Sequence, residues 1–205
     1  MMTETARHPR LPTDTDNGLL VIISGPSGVG KTTITRGVER SFADSVFSVS
    51  VTTRAKTDAD VEGVDYRFVD DATFDAMIER DELLEWADVF GKKYGTPRAW
   101  IDEQLVRGRL VIVEIDVRGA KQVKDKMPNA FGMFILPPSE DILLNRLRSR
   151  KRESEEQIQK RFAEARREIA EAKDSGVYDH FLVNDDLERA LDEAVSSVRS
   201  ARTRA

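Results

Sequence analysis

The chain contains the stretch Gly25-Pro26-Ser27-Gly28-Val29-Gly30-Lys31-Thr32. This stretch predicts the fold class of the protein and one of its ligands. The stretch fits the pattern G-x-x-x-x-G-K-[ST], which cradles a polyphosphate where a buried strand turns into a helix. The apolar run from Leu19 to Ile23 predicts that strand, and residues Thr32 to Phe42 predict the helix. We therefore expect a phosphate-binding loop, termed the P-loop below, that holds a nucleoside triphosphate.

The P-loop would bind the triphosphate through its backbone and two side chains. Its glycines let successive N–H groups point at phosphate oxygens, and the helix N-terminus adds a positive dipole end. Lys31 should reach the β- and γ-phosphates, and the Thr32 hydroxyl can ligate Mg²⁺. We expect Mg²⁺ with ATP and no tightly bound organic cofactor. The residues expected to bind ATP are Gly25, Pro26, Ser27, Gly28, Val29, Gly30, Lys31, Thr32 and Thr33.

Composition excludes several other classes of protein. The 205 residues allow one domain of ordinary size, and 40% hydrophobic residues can fill its core. A net charge of −5 disfavours nucleic-acid binding through the overall charge of the surface. No apolar run is long enough to span a membrane. The chain has no cysteine and two histidines, which excludes disulfides, thiolate sites and a multi-histidine zinc centre. We expect a cytoplasmic protein with small-molecule ligands and no nucleic acid or membrane partner.

Further apolar runs alternate with helical patterns along the chain. The runs are Leu110 to Ile115, Phe131 to Leu136 and, more weakly, Phe181 to Val183. Strands that alternate with helices predict right-handed crossovers and a mainly parallel sheet flanked by helices, which is the α/β class. Residues 1–17 are polar and contain two prolines, so we expect a flexible N-terminal tail without a secretory signal.

Residues 48–94 differ from the rest, because their apolar residues come in short alternating runs between polar turns. This pattern predicts a small, partly antiparallel insertion. The insertion and the strand that follows carry candidates for a second phosphate and a base: Ser50, Arg54, Tyr66, Glu85, Tyr94, Thr96, Glu114 and Asp116. Guanine presents N1–H and N2–H₂ as adjacent donors that one carboxylate accepts together, whereas N1 of adenine is an acceptor. The carboxylates and hydroxyls among these candidates therefore favour guanine over adenine as the bound base.

Some of these candidates also have purely structural interpretations. Arg54 could be a surface ion-pair partner, Glu85 the solvent face of a strand, and the two tyrosines core aromatics. Glu114 and Asp116 are harder to explain in this way, because both stand at the C-terminal end of a buried strand, where open α/β sheets place ligands. We therefore favour a functional role for this pair of carboxylates.

Positive charge is concentrated in one later segment, directly before and into a helix that begins at Ser154. Its members are Arg146, Arg148, Arg150, Lys151, Arg152 and Arg161. Cations on a segment that closes over a site suit phosphoryl transfer, because the transition state spreads charge over phosphate oxygens.

Together these segments resemble the guanylate kinase family over about Gly18 to Ala205. The resemblance rests on GPSGVGKTT, SVSVTTR, GVDYRF, LEWADVFGKKYGTPR, EIDVRGA, FILPPS, the arginine-rich segment and VNDDLERA, in that order. It implies the P-loop nucleoside monophosphate kinase fold, with a core at 18–47, 95–145 and 174–205, a GMP-binding insertion at 48–94 and a lid at about 146–173. It also implies transfer of the ATP γ-phosphoryl group to GMP, and to dGMP, with Mg²⁺.

The resemblance also implies residue roles, by matched position. The guanine base would be read by Ser50, Glu85, Thr96 and Asp116. The GMP phosphate would be held by Arg54, Tyr66 and Tyr94. The catalytic residues would be Lys31, Arg146, Arg150 and Arg161. Mg²⁺ would be ligated directly by Thr32 and approached through water by Glu114.

The chain departs from the family pattern at two places. Thr57 stands where the family has a second phosphate-binding arginine, and Lys151-Arg152 stands where the lid commonly has Gly-Thr. Two alternatives to GMP phosphorylation remain open: a kinase of similar fold for another small phosphorylated acceptor, and a non-catalytic guanylate-kinase-like binding module. Ser50 and Glu85 argue against the first, and the intact P-loop with the lid arginines argues against the second.

Overall fold

The computed structural model describes residues 17–89, 91–149 and 154–204. Of the tail expected at 1–17, all but Asn17 lies outside the described residues, and so do Arg150, Lys151 and Arg152. The first elements are β1 (Leu19–Ser24), α1 (Lys31–Ser41), β2 (Ser45–Phe47), β3 (Val51–Thr52), β4 (Arg67–Phe68), α2 (Asp71–Glu79), β5 (Leu83–Val89) and β6 (Lys92–Pro97). The later elements are α3 (Arg98–Val106), β7 (Leu110–Glu114), α4 (Val117–Lys126), β8 (Phe131–Leu136), α5 (Glu140–Ser149), α6 (Glu155–Ser175), β9 (His180–Val183) and α7 (Leu187–Arg202).

A parallel sheet forms the centre of the molecule, in the strand order β2-β7-β1-β8-β9. β1 lies in the middle, with Leu19 beside Leu110 of β7 and Val21 beside Phe131 of β8. All six residues of β1 are buried, as expected for a strand that is covered on both faces. The prediction of a mainly parallel sheet flanked by helices is confirmed.

Helices cover both faces of this sheet. Ile34 of α1 and Ala194 of α7 pack in one apolar cluster, while Ile101 of α3 and Val123 of α4 pack in the other. Within the described ranges, no helix combines the length and the apolar character that a membrane span requires.

The carboxyl ends of the parallel strands meet at one edge of the sheet. The P-loop follows Ser24 at the end of β1, beside Glu114 at the end of the neighbouring β7. The Ser24 hydroxyl donates to the carbonyl of Ile115 at 2.7 Å, which ties the two strand ends together. This edge is where an open α/β sheet places its ligands.

The insertion forms a second sheet, in the strand order β4-β3-β6-β5. β3 is parallel to β4 and antiparallel to β6, and β5 is antiparallel to β6, so the expected partly antiparallel character is observed. β6 continues to Pro97, beyond the expected boundary of the insertion at residue 94. The side chain of Gln122 in α4 accepts from the backbone N–H of Trp86 at 3.2 Å and donates to its carbonyl at 3.0 Å, which joins the insertion to the core.

The segment expected to form the lid, at about 146–173, falls on the end of α5 and on most of α6. The two helices share a small apolar cluster that includes Leu143, Leu147 and Ile158. α6 begins with a capping box, in which Ser154 and Gln157 each bond to the other's backbone N–H. The helix start expected at Ser154 is therefore observed.

Candidate active site

The P-loop connects β1 to α1 in a conformation that requires glycine. Gly28 and Gly30 have φ angles of 87° and 94°, in the left-handed region that most side chains avoid. A Cβ on Gly30 would lie 2.5 Å from Nδ2 of Asn184, and one on Gly28 would lie 2.9 Å from the side chain of Leu147. Backbone conformation and close packing therefore fix the shape of the loop.

A cleft of about 210 Å³ opens at the P-loop. It is lined by Pro26, Ser27, Gly28, Gly30, Lys31, Thr32, Thr33 and Glu114. The Lys31 ammonium folds back across the loop and donates to the carbonyl of Gly25 at 2.9 Å. Val29 is fully buried, so its side chain anchors the loop in the core. The structure thus brings most of the residues expected to bind ATP to one cleft, together with Glu114.

Asn184, just after β9, holds the P-loop by a hydrogen bond to its backbone. Its side chain is buried, and its Nδ2 donates to the carbonyl of Val29 at 2.8 Å. Its own backbone N–H donates to the carbonyl of Leu136 at the end of β8. Asn184 therefore ties the loop to the edge of the sheet through one side-chain and one backbone hydrogen bond.

Two of the arginines expected in the lid contact the P-loop or Asn184, which is bonded to it. The Arg161 guanidinium donates to the hydroxyl of Ser27, and Nη2 of Arg146 donates to the carbonyl of Asn184 at 3.0 Å. Arg150, the third expected lid arginine, lies outside the described residues.

The same helix carries a half-buried carboxylate, Glu168. It lies seven residues after Arg161, about two turns along α6, and so on the same face. Burial raises the pKa of Glu168 to about 7, and the positive charge of Lys31 opposes that shift. A carboxylate with a raised pKa therefore lies on the face of α6 that carries Arg161.

The buried carboxylate of Glu85 lies between the insertion and the core. Glu85 is 6% exposed, which excludes the solvent-face interpretation. Oγ1 of Thr96, its partner across β5 and β6, donates to Oε1 of Glu85 at 2.5 Å. Burial raises the pKa of Glu85 to about 7; the bond from Thr96 opposes this shift, and the negative charge of Asp116 adds to it.

The first turn of α4 approaches this carboxylate closely. Asp116 caps the helix and accepts from the backbone N–H of Gly119 at 2.8 Å. A Cβ on Gly119 would lie 2.9 Å from Oε2 of Glu85, so a larger residue would displace the carboxylate. The same Cβ would lie 3.4 Å from Oδ1 of Asp116, so both carboxylates approach this one glycine.

Strand register adds Ser50 to this group. β3 and β6 pair Val51 with Gly95, so the preceding residue, Ser50, lies opposite Thr96. Glu85 and Thr96 are paired across β5 and β6, and Ser50 directly precedes the neighbouring strand β3.

The residues expected to hold a second phosphate also come together. The rings of Tyr66 and Tyr94 lie 5.7 Å apart, and Cζ of Arg54 lies 5.2 Å from the ring of Tyr66. Arg54 forms an ion pair with Asp60 at 2.8 Å, so the structural interpretation of this arginine is also supported. Burial raises the pKa of the Tyr66 hydroxyl.

Comparison with known proteins identifies the family that shares these features. The sequence model described as guanylate kinase matches residues 17–201. The chain belongs to the guanylate kinase family. The guanylate kinase of Myxococcus xanthus is 46% identical to it over 187 residues, which cover 91% of this chain and 88% of the relative. The guanylate kinase of Carboxydothermus hydrogenoformans is 47% identical over 176 residues, which cover 86% of this chain and 85% of the relative.

A solved structure agrees with this assignment to the guanylate kinase family. The crystal structure of guanylate kinase from Anaplasma phagocytophilum matches with a TM-score of 0.69 and 30% sequence identity. The match covers 93% of this chain and 89% of the other. The expected family and the expected nucleoside monophosphate kinase fold are confirmed.

Three residues of this guanylate kinase family member were not singled out by sequence analysis. Asn184 stands in the quoted stretch VNDDLERA, which could have indicated a role. Glu168 could have been found from its spacing to Arg161, but it is one of many acidic residues on α6. Asp60 lies in a polar turn whose sequence gives no signal of its contact with Arg54.

Proposed function

We propose that this member of the guanylate kinase family transfers the γ-phosphoryl group of ATP to GMP, which gives ADP and GDP. The observation that carries the proposal is the buried pair of Glu85 and Thr96, with Asp116 also close to Gly119. A carboxylate in this setting accepts hydrogen bonds from N1–H and N2–H₂ of guanine together. The same carboxylate and N1 of adenine are both acceptors, so they repel each other.

The acceptor nucleotide would be held at both of its ends. Ser50, Thr96 and Asp116 would complete the recognition of the base around Glu85. Arg54 and the hydroxyls of Tyr66 and Tyr94 would hold the phosphate. None of these proposed contacts involves the 2′-hydroxyl of the ribose, so we propose that dGMP is also an acceptor.

The donor nucleotide would lie in the P-loop cleft. Backbone N–H groups of the loop and the start of α1 would hold its phosphates, and Lys31 would stabilise charge between the β- and γ-phosphates. Arg146, Arg150 and Arg161 would stabilise the charge that spreads over the transferred group. The contact between Arg161 and Ser27 supports this role, because it brings the lid helix to the edge of the cleft.

The residues of the cleft fit Mg²⁺. The Thr32 hydroxyl and the Glu114 carboxylate both line it, and Mg²⁺ prefers oxygen ligands, few of them from the protein when phosphates are present. We propose that Thr32 ligates the ion directly and that Glu114 acts through water. When bound, Mg²⁺ neutralises negative charge on the β- and γ-phosphates.

The two appended units would bring the substrates together and exclude water. We propose that residues 48–94 bind GMP and that the lid, at about 146–173, covers ATP, while the remaining segments form the core. Exclusion of water matters because water competes with GMP for the γ-phosphoryl group. Since both substrates are free nucleotides, we also propose that the enzyme works in the cytoplasm.

A coupled assay of ADP formation tests the proposal, with GMP, dGMP, AMP, CMP and UMP as acceptors. GMP and dGMP should support turnover, and kcat/KM for the other nucleotides should be lower by at least about a hundredfold. Preference for a different acceptor would indicate a kinase of similar fold. ATP binding without turnover on any acceptor would indicate a non-catalytic binding module.

A further inference from the structure

The proposed acceptor-phosphate site contains an ion pair, between Arg54 and Asp60, that the proposed residue roles do not explain. Asp60 accepts from both terminal nitrogens of Arg54, with 2.8 Å from Nη2 to Oδ1 and 2.9 Å from Nη1 to Oδ2. Two parallel bonds of this kind fix the plane of a guanidinium group. Asp60 is the less exposed partner, with 13% of its side chain accessible against 28% for Arg54.

Asp60 is itself held by a turn of the backbone. The N–H and the hydroxyl of Thr57 donate to Oδ2 of Asp60 at 2.8 and 2.6 Å, and the N–H of Asp60 donates back to the carbonyl of Thr57 at 3.1 Å. The carboxylate therefore accepts two bonds from Arg54 and two from Thr57. These bonds, that of Arg54 first, hold the pKa of Asp60 well below its usual range, so the group is charged throughout the working pH range.

The faces of the Arg54 guanidinium are constrained as well. Its Cζ lies 5.2 Å from the ring of Tyr66 and 5.3 Å from the ring of Phe68, and Nη1 also donates to the carbonyl of Ala55 at 3.1 Å. Asp60 engages the end formed by Nη1 and Nη2. Among the residues that the structure describes, Nε makes no hydrogen bond, so the edge formed by Nε–H and the outer N–H of Nη2 can meet a ligand.

We propose that Asp60, held by Thr57, is a positioning residue that orients Arg54 so that its Nε–Nη2 edge meets the phosphate of GMP. The assignment rests on the proposed function. An arginine has many rotamers, and one that is ordered before the ligand arrives loses less freedom on binding. Thr57, which stands where an arginine was expected, thus contributes to the site by fixing the carboxylate that fixes Arg54.

The opposite role for Asp60 would be competition with the phosphate for Arg54. The geometry disfavours it, because Asp60 occupies the end of the guanidinium and leaves a second bidentate edge. Displacing Asp60 from Arg54 would also break two hydrogen bonds to a carboxylate that Thr57 holds in place with two more. The two roles predict opposite effects on the affinity for GMP.

The test compares Asp60→Asn with Asp60→Glu, by kcat, by KM for GMP and for ATP, and by the inhibition constant of guanosine, which lacks the phosphate. In Asp60→Asn the KM for GMP should rise at least about tenfold, while the KM for ATP and the guanosine constant change less than about twofold. Asp60→Glu keeps a carboxylate fork and should restore most of the affinity. Thr57→Ala removes one of the four bonds and should raise the KM for GMP by a smaller factor, about threefold.

Glu82→Gln is the matched control, because it breaks an exposed ion pair with Arg80 in the same insertion and should change none of these constants. An unchanged or lower KM for GMP in Asp60→Asn would overturn the positioning role, and so would an equal loss of affinity for guanosine. If Asp60→Asn does not fold, Thr57→Ala decides by the same comparison of GMP with guanosine. Failure of the wild-type enzyme to phosphorylate GMP would overturn the proposed function itself. This outcome is distinct from failure of the positioning role, because it is measured without any variant.

Discussion

Oε1 of Glu85 accepts a hydrogen bond of 2.5 Å from the Thr96 hydroxyl, across two antiparallel strands at the junction of the insertion and the core. Gly119 of α4 packs against the other carboxylate oxygen of Glu85. The carboxylate is therefore buried and oriented in the free protein, and its charge state depends on its surroundings.

Replacing Glu85 by glutamine should reduce selectivity for guanine. The glutamine amide presents an N–H donor to the N–H donors of guanine. The transition state for GMP should therefore lose about 2 to 4 kcal/mol of stabilisation, and kcat/KM for GMP should fall accordingly. The KM for ATP should change little, because the P-loop is a separate element. Glu79→Gln, at the exposed end of α2, is the control. Equal losses for GMP and ATP would instead indicate a structural role for Glu85.

The raised pKa of Glu85 predicts that GMP use depends on pH. Only the charged carboxylate accepts both guanine donors, and burial raises its pKa to about 7. Below that pH, kcat/KM for GMP should fall about tenfold per pH unit, whereas above it the value should be constant. A pH profile of wild type against Glu85→Gln checks this, because the variant should lack the inflection that Glu85 causes.

The same group should make stability fall as pH rises. The folded protein keeps a proton on Glu85 up to about pH 7, whereas the unfolded chain loses it near the ordinary value of 4.5. Unfolding therefore becomes easier between these two values, by up to about 3 kcal/mol. Chemical denaturation at pH 5 and pH 8 should show a smaller difference for Glu85→Gln. An identical difference in both proteins would contradict the assigned pKa.

Lys31→Ala should abolish most turnover and leave the fold intact. The ammonium would stabilise charge between the β- and γ-phosphates, so its loss should lower kcat by about a hundredfold or more. The hydrogen bond of this ammonium to the carbonyl of Gly25 contributes on the order of 1 kcal/mol to stability. Lys121→Ala, which breaks an ion pair with Glu171, is the control and should keep full activity. Near-normal turnover of Lys31→Ala would remove the P-loop assignment.

Arg161→Ala should affect turnover more than substrate binding. An arginine that completes the site when the lid closes stabilises the transition state more than the ground state, so kcat should fall more than the KM for GMP rises. Arg166→Ala on the same helix is the control, since Arg166 pairs with Glu140 on α5. Lost GMP affinity in calorimetry, with an unchanged single-turnover rate, would refute this role. Arg150→Ala should behave as Arg161→Ala does.

The sequence by itself determined the P-loop and the central sheet. The loop residues are contiguous, so their spacing alone specifies the turn between a strand and a helix, and runs such as Leu19 to Ile23 specify strands buried on both faces. The start of α6 at Ser154 was equally local, because a capping box is made within one turn.

Only the tertiary structure decided which polar groups meet and how deeply they are buried. The sequence holds 37 acidic residues, and nothing in their spacing shows that Asp60 engages Arg54 or that Glu85 lies at Gly119. The support of Val29 by Asn184 joins residues that are far apart in the chain and close only after the sheet has formed. Burial and charge partners are properties of the packed chain, and they set the pKa of Glu85 and the orientation of Arg54.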